Sequence, residues 1–285
     1  MVDKIDPQTL ASMTLTEALD IRNNGQVIPF AGGTDLMVRR RSWAGTLPRF
    51  ETPVVFIGKI PELIEISTGG GQLTIGAAAT LAAINSHPAV PQILKRAIVE
   101  MASPAIRNMG TLGGNICNAS PAADTLPPLY ALEATVVLQS KSDKRELPIS
   151  EFITGPGQTV LQSDELMVAI KIPFAEFNKV YYKKVGTRKA DALSKVSFAG
   201  LARVNGGIIE DVRLAIGAVA PRVVRNPEAE ALLKGKQVNG LADMVEEIKK
   251  HYLKDIRPID DQRSNAKYRK LVSLRLVEDF VKNLL

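Results

Sequence analysis

Two glycine pairs mark the places where chemistry is possible. The first lies in PFAGGTDL, Pro29 to Leu36, between an apolar run and a basic one. The second lies in TLGGNICNASPAAD, Thr111 to Asp124, among small hydrogen-bonding side chains. Glycine accepts a positive φ, so successive main-chain N–H groups can converge on an anion, and the missing Cβ lets a phosphate reach the backbone. In the first pair Thr34 adds a hydroxyl and Asp35 can cap the turn that follows. A tight strand-to-helix connection with no ligand would use the same residues. Two such pairs on separate segments suit a ligand with two phosphates, and a dinucleotide diphosphate fits better than a mononucleotide.

The second segment carries the stronger signal. Only Leu112 and Ile116 in it are clearly core-like, and Pro121 fixes the backbone ahead of Asp124. A stretch that buries so little apolar area pays in backbone entropy to stay ordered, unless something binds it. Asp124 can accept hydrogen bonds from a ribose diol or cap the helix TLPPLYALEA, and both readings stay open. Cys117 has no histidine or acid beside it and reads as a small packing residue rather than a nucleophile.

YYKKVGTRKADALSKV adds a charge. An oxidised flavin that accepts a hydride gains negative charge at N1 and O2, so a fixed lysine at that edge raises its reduction potential. Lys183 and Lys184 are neighbours on a strand and point to opposite faces, so only one of them can face a ligand. Solvated strand lysines would look the same.

The elements that must position these residues follow from patterning. TLTEALDIRNNG, with its threonine cap and helical spacing, describes a short amphipathic helix, and QVIPF a strand running into the first glycine pair. After a loop around Thr46 to Thr52, PVVFIG reads as a buried strand. LIEISTGGGQLTIGAAAT reads as a hairpin with Gly69, Gly70 and Gly71 at its tip, because QLTIGA alternates like a strand and cannot open the helix of a phosphate loop. Helical material broken by Pro88 and Pro91 leads to the second glycine pair. TVVLQSK, KRELPIS and DELMVAIKIP read as strands. From about Asn178 the chain changes to antiparallel strands, turning at Asn205 to Gly207, and ends in three helical segments. Strands first and helices last indicate an α+β domain, a sheet covered on one face by helices, with its boundary near residues 174 to 178.

Composition narrows the function. The chain has 285 residues, 45% hydrophobic, enough for two domains. Cys117 is the only cysteine, which excludes an internal disulfide, a cysteine metal knuckle and a cysteine-ligated cluster. His87 and His251 stand apart with no carboxylate spacing and read as surface or loop histidines, so no protein-bound metal is expected. The net charge of +6 is scattered, densest at Val38 to Trp43, and without a reader motif it suggests a solvated or partner-facing patch rather than nucleic-acid binding. Trp43 suits an interface anchor or a loop residue packed on its own chain. No signal-peptide core and no apolar run of membrane-spanning length occurs, so a soluble, cytoplasmic protein is expected.

AGGTDL, TLGGN followed by ASPAAD, the DELMVAIKIP strand and KVGTRKADALSKV, in this order and spacing, resemble the FAD-binding medium subunit of molybdenum hydroxylases, the xanthine dehydrogenase and carbon monoxide dehydrogenase family. The likeness runs over nearly the whole chain, including a C-terminal domain of the type ending in RSNAKYRKLV. It implies a vanillyl-alcohol-oxidase (PCMH-type) FAD-binding domain over residues 1–175, with subdomains of about 1–56 and 57–175. A C-terminal α+β domain of the CO dehydrogenase flavoprotein type, an antiparallel sheet with helices on one face, would fill 176–285. It implies non-covalent FAD, with Pro29, Phe30, Ala31, Gly32, Gly33, Thr34, Asp35 and Leu36 wrapping the diphosphate. Thr111, Leu112, Gly113, Gly114 and Asn115 would bind it from the other side. Asp124 would contact the sugar portion, Leu166 would touch FAD through its main chain, Met101 would wall the flavin pocket, and Lys184 rather than Lys183 would reach the N1/O2 edge.

The resemblance also implies partners: a small subunit with two [2Fe–2S] clusters and a large molybdopterin subunit, with electrons leaving to NAD+ or another acceptor. No catalytic acid–base pair is expected on this chain, because the flavin does the redox chemistry. A single cysteine rules out the extra iron–sulfur insertion some relatives carry. The rival readings are a self-contained FAD reductase resembling UDP-N-acetylenolpyruvoylglucosamine reductase, and a nucleotide-binding scaffold without activity.

Overall fold

The computed structural model describes residues 14–41, 43, 50–189 and 191–284. The N-terminal part of the signal-peptide reading, and residues 46–49 of the loop expected around Thr46 to Thr52, lie outside the described residues. The helix Leu15–Asn24 starts at a capping box in which Thr14 Oγ1 accepts from Glu17 N at 3.2 Å and Glu17 Oε2 accepts from Thr14 N at 2.7 Å. Strand Ile28–Phe30 then pairs in parallel with Val54–Phe56. Their partner layer is a small core of Ala18, Leu19, Val55, Ile60 and Leu63.

The second layer is a five-stranded sheet. The hairpin Ile66–Gly69 and Gln72–Gly76 turns at Gly70 and Gly71, both with positive φ, as the alternation in QLTIGA requires. Strand Leu166–Pro173 sits centrally between this hairpin and the hairpin Thr135–Gln139 and Lys144–Pro148, antiparallel to both. One face packs on helices Leu81–Ser86 and Gln92–Glu100, separated by the Pro88 and Pro91 break, and on the short helix Leu126–Ala131, every residue of which is buried.

The C-terminal sheet runs Lys179–Val185, Val196–Asn205, Ile208–Gly217 and Val224–Arg225. The turn at Gly206 and Gly207 has positive φ at both residues. Helices Pro227–Leu233, Val245–Asp255 and Ala266–Lys282 cover one face, with Phe198, Tyr252 and Phe280 in their core. The opposite face is covered too. Tyr182, Ala199, Leu201 and Ala215 join the core of the N-terminal part, packed toward helices Gln92–Glu100 and Leu126–Ala131. The sheet is therefore buried on both sides, by its own helices and by those of the preceding layer.

Candidate functional site

A cavity of about 780 Å³ lies between the two glycine segments. From the first, Pro29, Ala31, Gly32, Gly33, Thr34, Asp35 and Leu36 line it. From the second come Thr111, Gly113, Gly114 and Asn115, and Met101, Asp124 and Leu166 complete the expected set. Phe30, Leu112 and Lys184 do not face the cavity. Phe30 stacks on Phe56 with ring centroids 5.0 Å apart, and Leu112 is wholly buried in the core.

The first segment is held open by its own chain. A Cβ on Gly32 would strike the carbonyl of Met109, and one on Gly33, whose φ is +68°, would enter the ring of Phe30. These contacts arrest the loop so that its main chain fronts the cavity. Met37 N donates back to the Gly33 carbonyl at 2.9 Å. Among the described residues, the amides of Ala31, Gly32, Gly33, Thr34, Asp35 and Leu36 find no acceptor. A run of unspent N–H groups beside a cavity is an anion cradle.

The second segment is built differently from the expected loop. Leu112–Cys117 is an α-helix, capped by Thr111 Oγ1 accepting from Gly114 N at 3.2 Å. Its first amides are spent inside the protein: Leu112 N on Ala79 O at 3.2 Å, Gly113 N on Ala77 O at 2.9 Å, and Asn115 N on Thr111 O at 3.0 Å. The expectation that main-chain amides near Gly113 form a second nest is therefore corrected. Gly113 is a glycine because its Cα presses on Ala77, whose carbonyl oxygen would lie 2.6 Å from an added Cβ. Gly114 meets only Thr111 Oγ1, at 2.8 Å, and leaves its side of the helix open to the cavity. Asn115 Oδ1 accepts from Thr125 Oγ1 at 2.6 Å, which leaves its amide nitrogen as a donor.

Asp124 is the joint between the two halves of the molecule. Its Oδ2 accepts from Lys184 Nζ at 2.8 Å and its Oδ1 from Ser194 Oγ at 2.5 Å. Lys184 also donates to the carbonyl of Glu100 at 2.9 Å. Both side chains of the ion pair are nearly sealed, 3% exposed for Lys184 and 7% for Asp124. Burial pushes the Asp124 carboxyl above its ordinary range, against the pull of Lys184 and Ser194. Lys184 thus stands behind Asp124, while Lys183 faces outward from the strand. Asp124 does not cap Leu126–Ala131; the helix is preceded by Thr125, with Pro127 and Pro128 in its first turn.

Residues missed by sequence reasoning shape the remaining walls. Arg107 Nη1 donates to the carbonyls of Met101 at 2.8 Å and Ala102 at 2.9 Å, holding Ala102 at φ +50° on the cavity wall. Arg22, Arg39 and Arg263 supply positive charge around the cavity. Arg39 is paired one helical turn away with Asp35 at 3.3 Å and Arg263 with Asp261 at 2.9 Å, while Arg22 reaches the distant Glu165 carbonyl at 3.3 Å. Cys117 also lines the cavity, and burial pushes its thiol up to about 12, which suits a packing residue and not a nucleophile.

Residues 6–175 match the family model of the FAD binding domain in molybdopterin dehydrogenase. Residues 181–284 match that of the CO dehydrogenase flavoprotein C-terminal domain. The chain belongs to this flavoprotein family. It is 34% identical to the glyceraldehyde dehydrogenase medium chain of Sulfolobus acidocaldarius, over 91% of each chain. To a putative xanthine dehydrogenase FAD-binding subunit of Escherichia coli K12 it is 30% identical, over 95% of this chain and 92% of that one. The solved carbon monoxide dehydrogenase of Hydrogenophaga pseudoflava superposes with a TM-score of 0.84 at 28% identity, covering 94% of this chain and 93% of its counterpart. The chain is a medium-type FAD-binding subunit of the molybdenum hydroxylase family, an oxidoreductase component whose cofactor is FAD. That membership sets aside the self-contained reductase and the inactive scaffold. The residues fit the cofactor: unspent amides stand ready for a diphosphate, with the positive charge of Arg22, Arg39 and Arg263 around them, beside a cavity in the upper range of small-molecule sites. Among the described residues, no helix is long and apolar enough to cross a membrane.

Proposed function

We propose that this chain is the flavin relay of a xanthine dehydrogenase-like molybdenum hydroxylase in the cytoplasm. Electrons would arrive from a [2Fe–2S] small subunit, fed by a molybdopterin large subunit, and leave to NAD+ or another acceptor. When bound, FAD supplies the exchange between one-electron and two-electron chemistry. This chain supplies position, charge and exclusion of water, and no acid or base of its own. On this reading residues 1–175 form the PCMH-type FAD domain and 176–285 the flavoprotein C-terminal domain.

The reading rests on one observation: six consecutive residues, Ala31 to Leu36, line the cavity, and their amides have no acceptor among the described residues. They would hold the diphosphate non-covalently, with Pro29 lining the cavity beside them and Phe30 fixing the loop from behind. Gly113 and Gly114 would keep the opposite wall low, and Thr111 and Leu112 would set the helix that carries them. Asn115 would donate through its side-chain amide. Asp124 would meet the sugar portion, Met101 and Leu166 would wall the ring, and Lys184 would bias the site electrostatically through Asp124.

The test is isolation of the tagged chain from its native cell. The expected product contains about one FAD per chain, released by denaturation without proteolysis, together with a chain carrying two cysteine-ligated clusters and a molybdenum-containing chain. A colourless chain that takes up no FAD, or a flavoprotein that never associates with iron and molybdenum, would overturn it.

A further inference from the structure

A second cavity, of about 470 Å³, shares no lining residue with the first. One wall comes from the end of helix Leu126–Ala131, the hairpin after it and the short helix Ile149–Phe152, through Tyr130, Thr135 and Ser150. The other comes from the segment Arg222 to Pro227 in the C-terminal part. The site exists only where the two halves of the chain are joined.

Its charges are unequally committed. Arg225 is satisfied: Nε and Nη2 each donate to Glu230 at 3.0 Å, Nη2 meets Glu133 at 3.0 Å, and Nη1 reaches the Tyr130 carbonyl at 3.2 Å. Glu133 is shared with Arg213 at 3.0 Å. Arg222 has one contact among the described residues, Nη1 to the Ile153 carbonyl at 3.5 Å, the outer limit of a hydrogen bond. Most of its guanidinium donors are unspent.

Tyr130 is only 6% exposed, and its hydroxyl is buried with no partner among the described residues. Burial pushes the phenol up to about 12, with Arg222 pulling it back, so it stays a neutral donor beside a cation. A buried hydroxyl without a partner is unfavourable and calls for one. Among the described residues the hydroxyls of Thr135 and Ser150 on the wall have no partner either, beside the apolar surfaces of Pro148, Ile149 and Val223.

The geometry points to a binding site for a small organic monoanion, with its carboxylate held by Arg222 and the Tyr130 hydroxyl and its apolar body against Pro148, Ile149 and Val223. Two features select this class. Arg225 is already neutralised, and Glu133 repels a second negative charge, which disfavours polyphosphates. Hydroxyls and apolar side chains share the remaining wall, which suits an aromatic or short-chain acid better than a bare inorganic ion. The inference is independent of what occupies the first cavity.

Benzoate serves as the probe, titrated into the full-length FAD-loaded chain and observed by saturation-transfer NMR, with benzyl alcohol and inorganic phosphate as comparators. The expected order is benzoate bound at least about tenfold more tightly than either comparator, since a charged hydrogen bond carries that much discrimination. Arg222→Met should weaken benzoate by about tenfold or more and leave the FAD content unchanged. Tyr130→Phe should weaken benzoate while raising Tm in its absence, because it deletes an unpaired buried hydroxyl; a merely structural tyrosine would show the opposite sign. Benzoate binding that Arg222→Met leaves intact, phosphate outcompeting benzoate, or no binding of any probe overturns the proposal.

Discussion

The segments Pro29–Leu36 and Thr111–Cys117 look alike in sequence, each a glycine pair beside a threonine, yet they solve different problems. In the first, the glycines let the loop seat against Met109 and Phe30, and the main-chain donors that result are left unspent beside the cavity. In the second, the pair sits inside a capped helix whose donors are spent on Ala77, Ala79 and Thr111, and Gly113 exists so that the helix can lie on Ala77. Glycine composition marks close approach without saying what approaches. Here the approaching partner is the protein's own backbone at Gly32 and Gly113, and a single side-chain hydroxyl, that of Thr111, at Gly114.

The comparison breaks most sharply at Gly113. Gly113→Val should cost roughly 4 kcal/mol or more, seen as loss of soluble protein or a large fall in Tm with and without FAD, because the obstacle is backbone. A Gly113→Val chain that folds normally would show that the helix has room the contact with Ala77 denies. Next comes the joint behind the cavity. Asp124→Asn leaves Lys184 buried without its counter-charge and should cost roughly 3 kcal/mol in denaturant unfolding. Adding Lys184→Met to that variant should recover part of the loss, a non-additivity a double-mutant cycle measures directly.

A smaller change sharpens the contrast within one helix. Gly114→Ala should leave Tm within a few degrees, its added methyl meeting only the Thr111 hydroxyl, yet weaken FAD by about tenfold in a fluorescence titration. Equal effects on folding at Gly113 and Gly114 would erase the distinction. The smallest effect tests a third wall. Arg145 grips Glu165 at 2.6 and 2.8 Å beside Leu166, and holds the Glu165 carboxyl below its ordinary range. That stabilisation is present above the unfolded value of about 4.5 and is lost as pH falls through the lower folded value. Glu165→Gln should cost about 1 kcal/mol at neutral pH and flatten the acid limb of the stability curve below pH 4.5.

What sequence revealed was local. The threonine cap at Thr14, the glycine-tipped hairpin at Gly70 and Gly71, and the Asn205–Gly207 turn are written in residues a few positions apart, so patterning finds them. The Leu112–Cys117 helix escaped because it is six residues long and its small residues mask the helical period, and Leu112 and Ile116, one turn apart, were its only trace. The sequence also separated Lys184 from Lys183 only by the family likeness, since a strand's alternation says that the two differ without saying which turns inward. Ser194 and the Glu100 carbonyl were out of reach, because each meets its partner through tertiary contacts that leave no period, and the carbonyls held by Arg107, though only five and six residues away, belong to no regular element. The second cavity was equally silent, being made by two halves that read as separate domains.

The C-terminal sheet, sealed on one side by its own helices and on the other by the helices behind the FAD cavity, makes the molecule a single cooperative block rather than two beads on a string. Cutting the chain after Pro173 would strip the cover from Tyr130 and the Leu126–Ala131 helix and remove the cation behind Asp124 in one stroke. Any genetic rearrangement that relocates the terminal segment must therefore hand the remaining half an equivalent lid, which ties the length of this polypeptide to its capacity to keep a flavin.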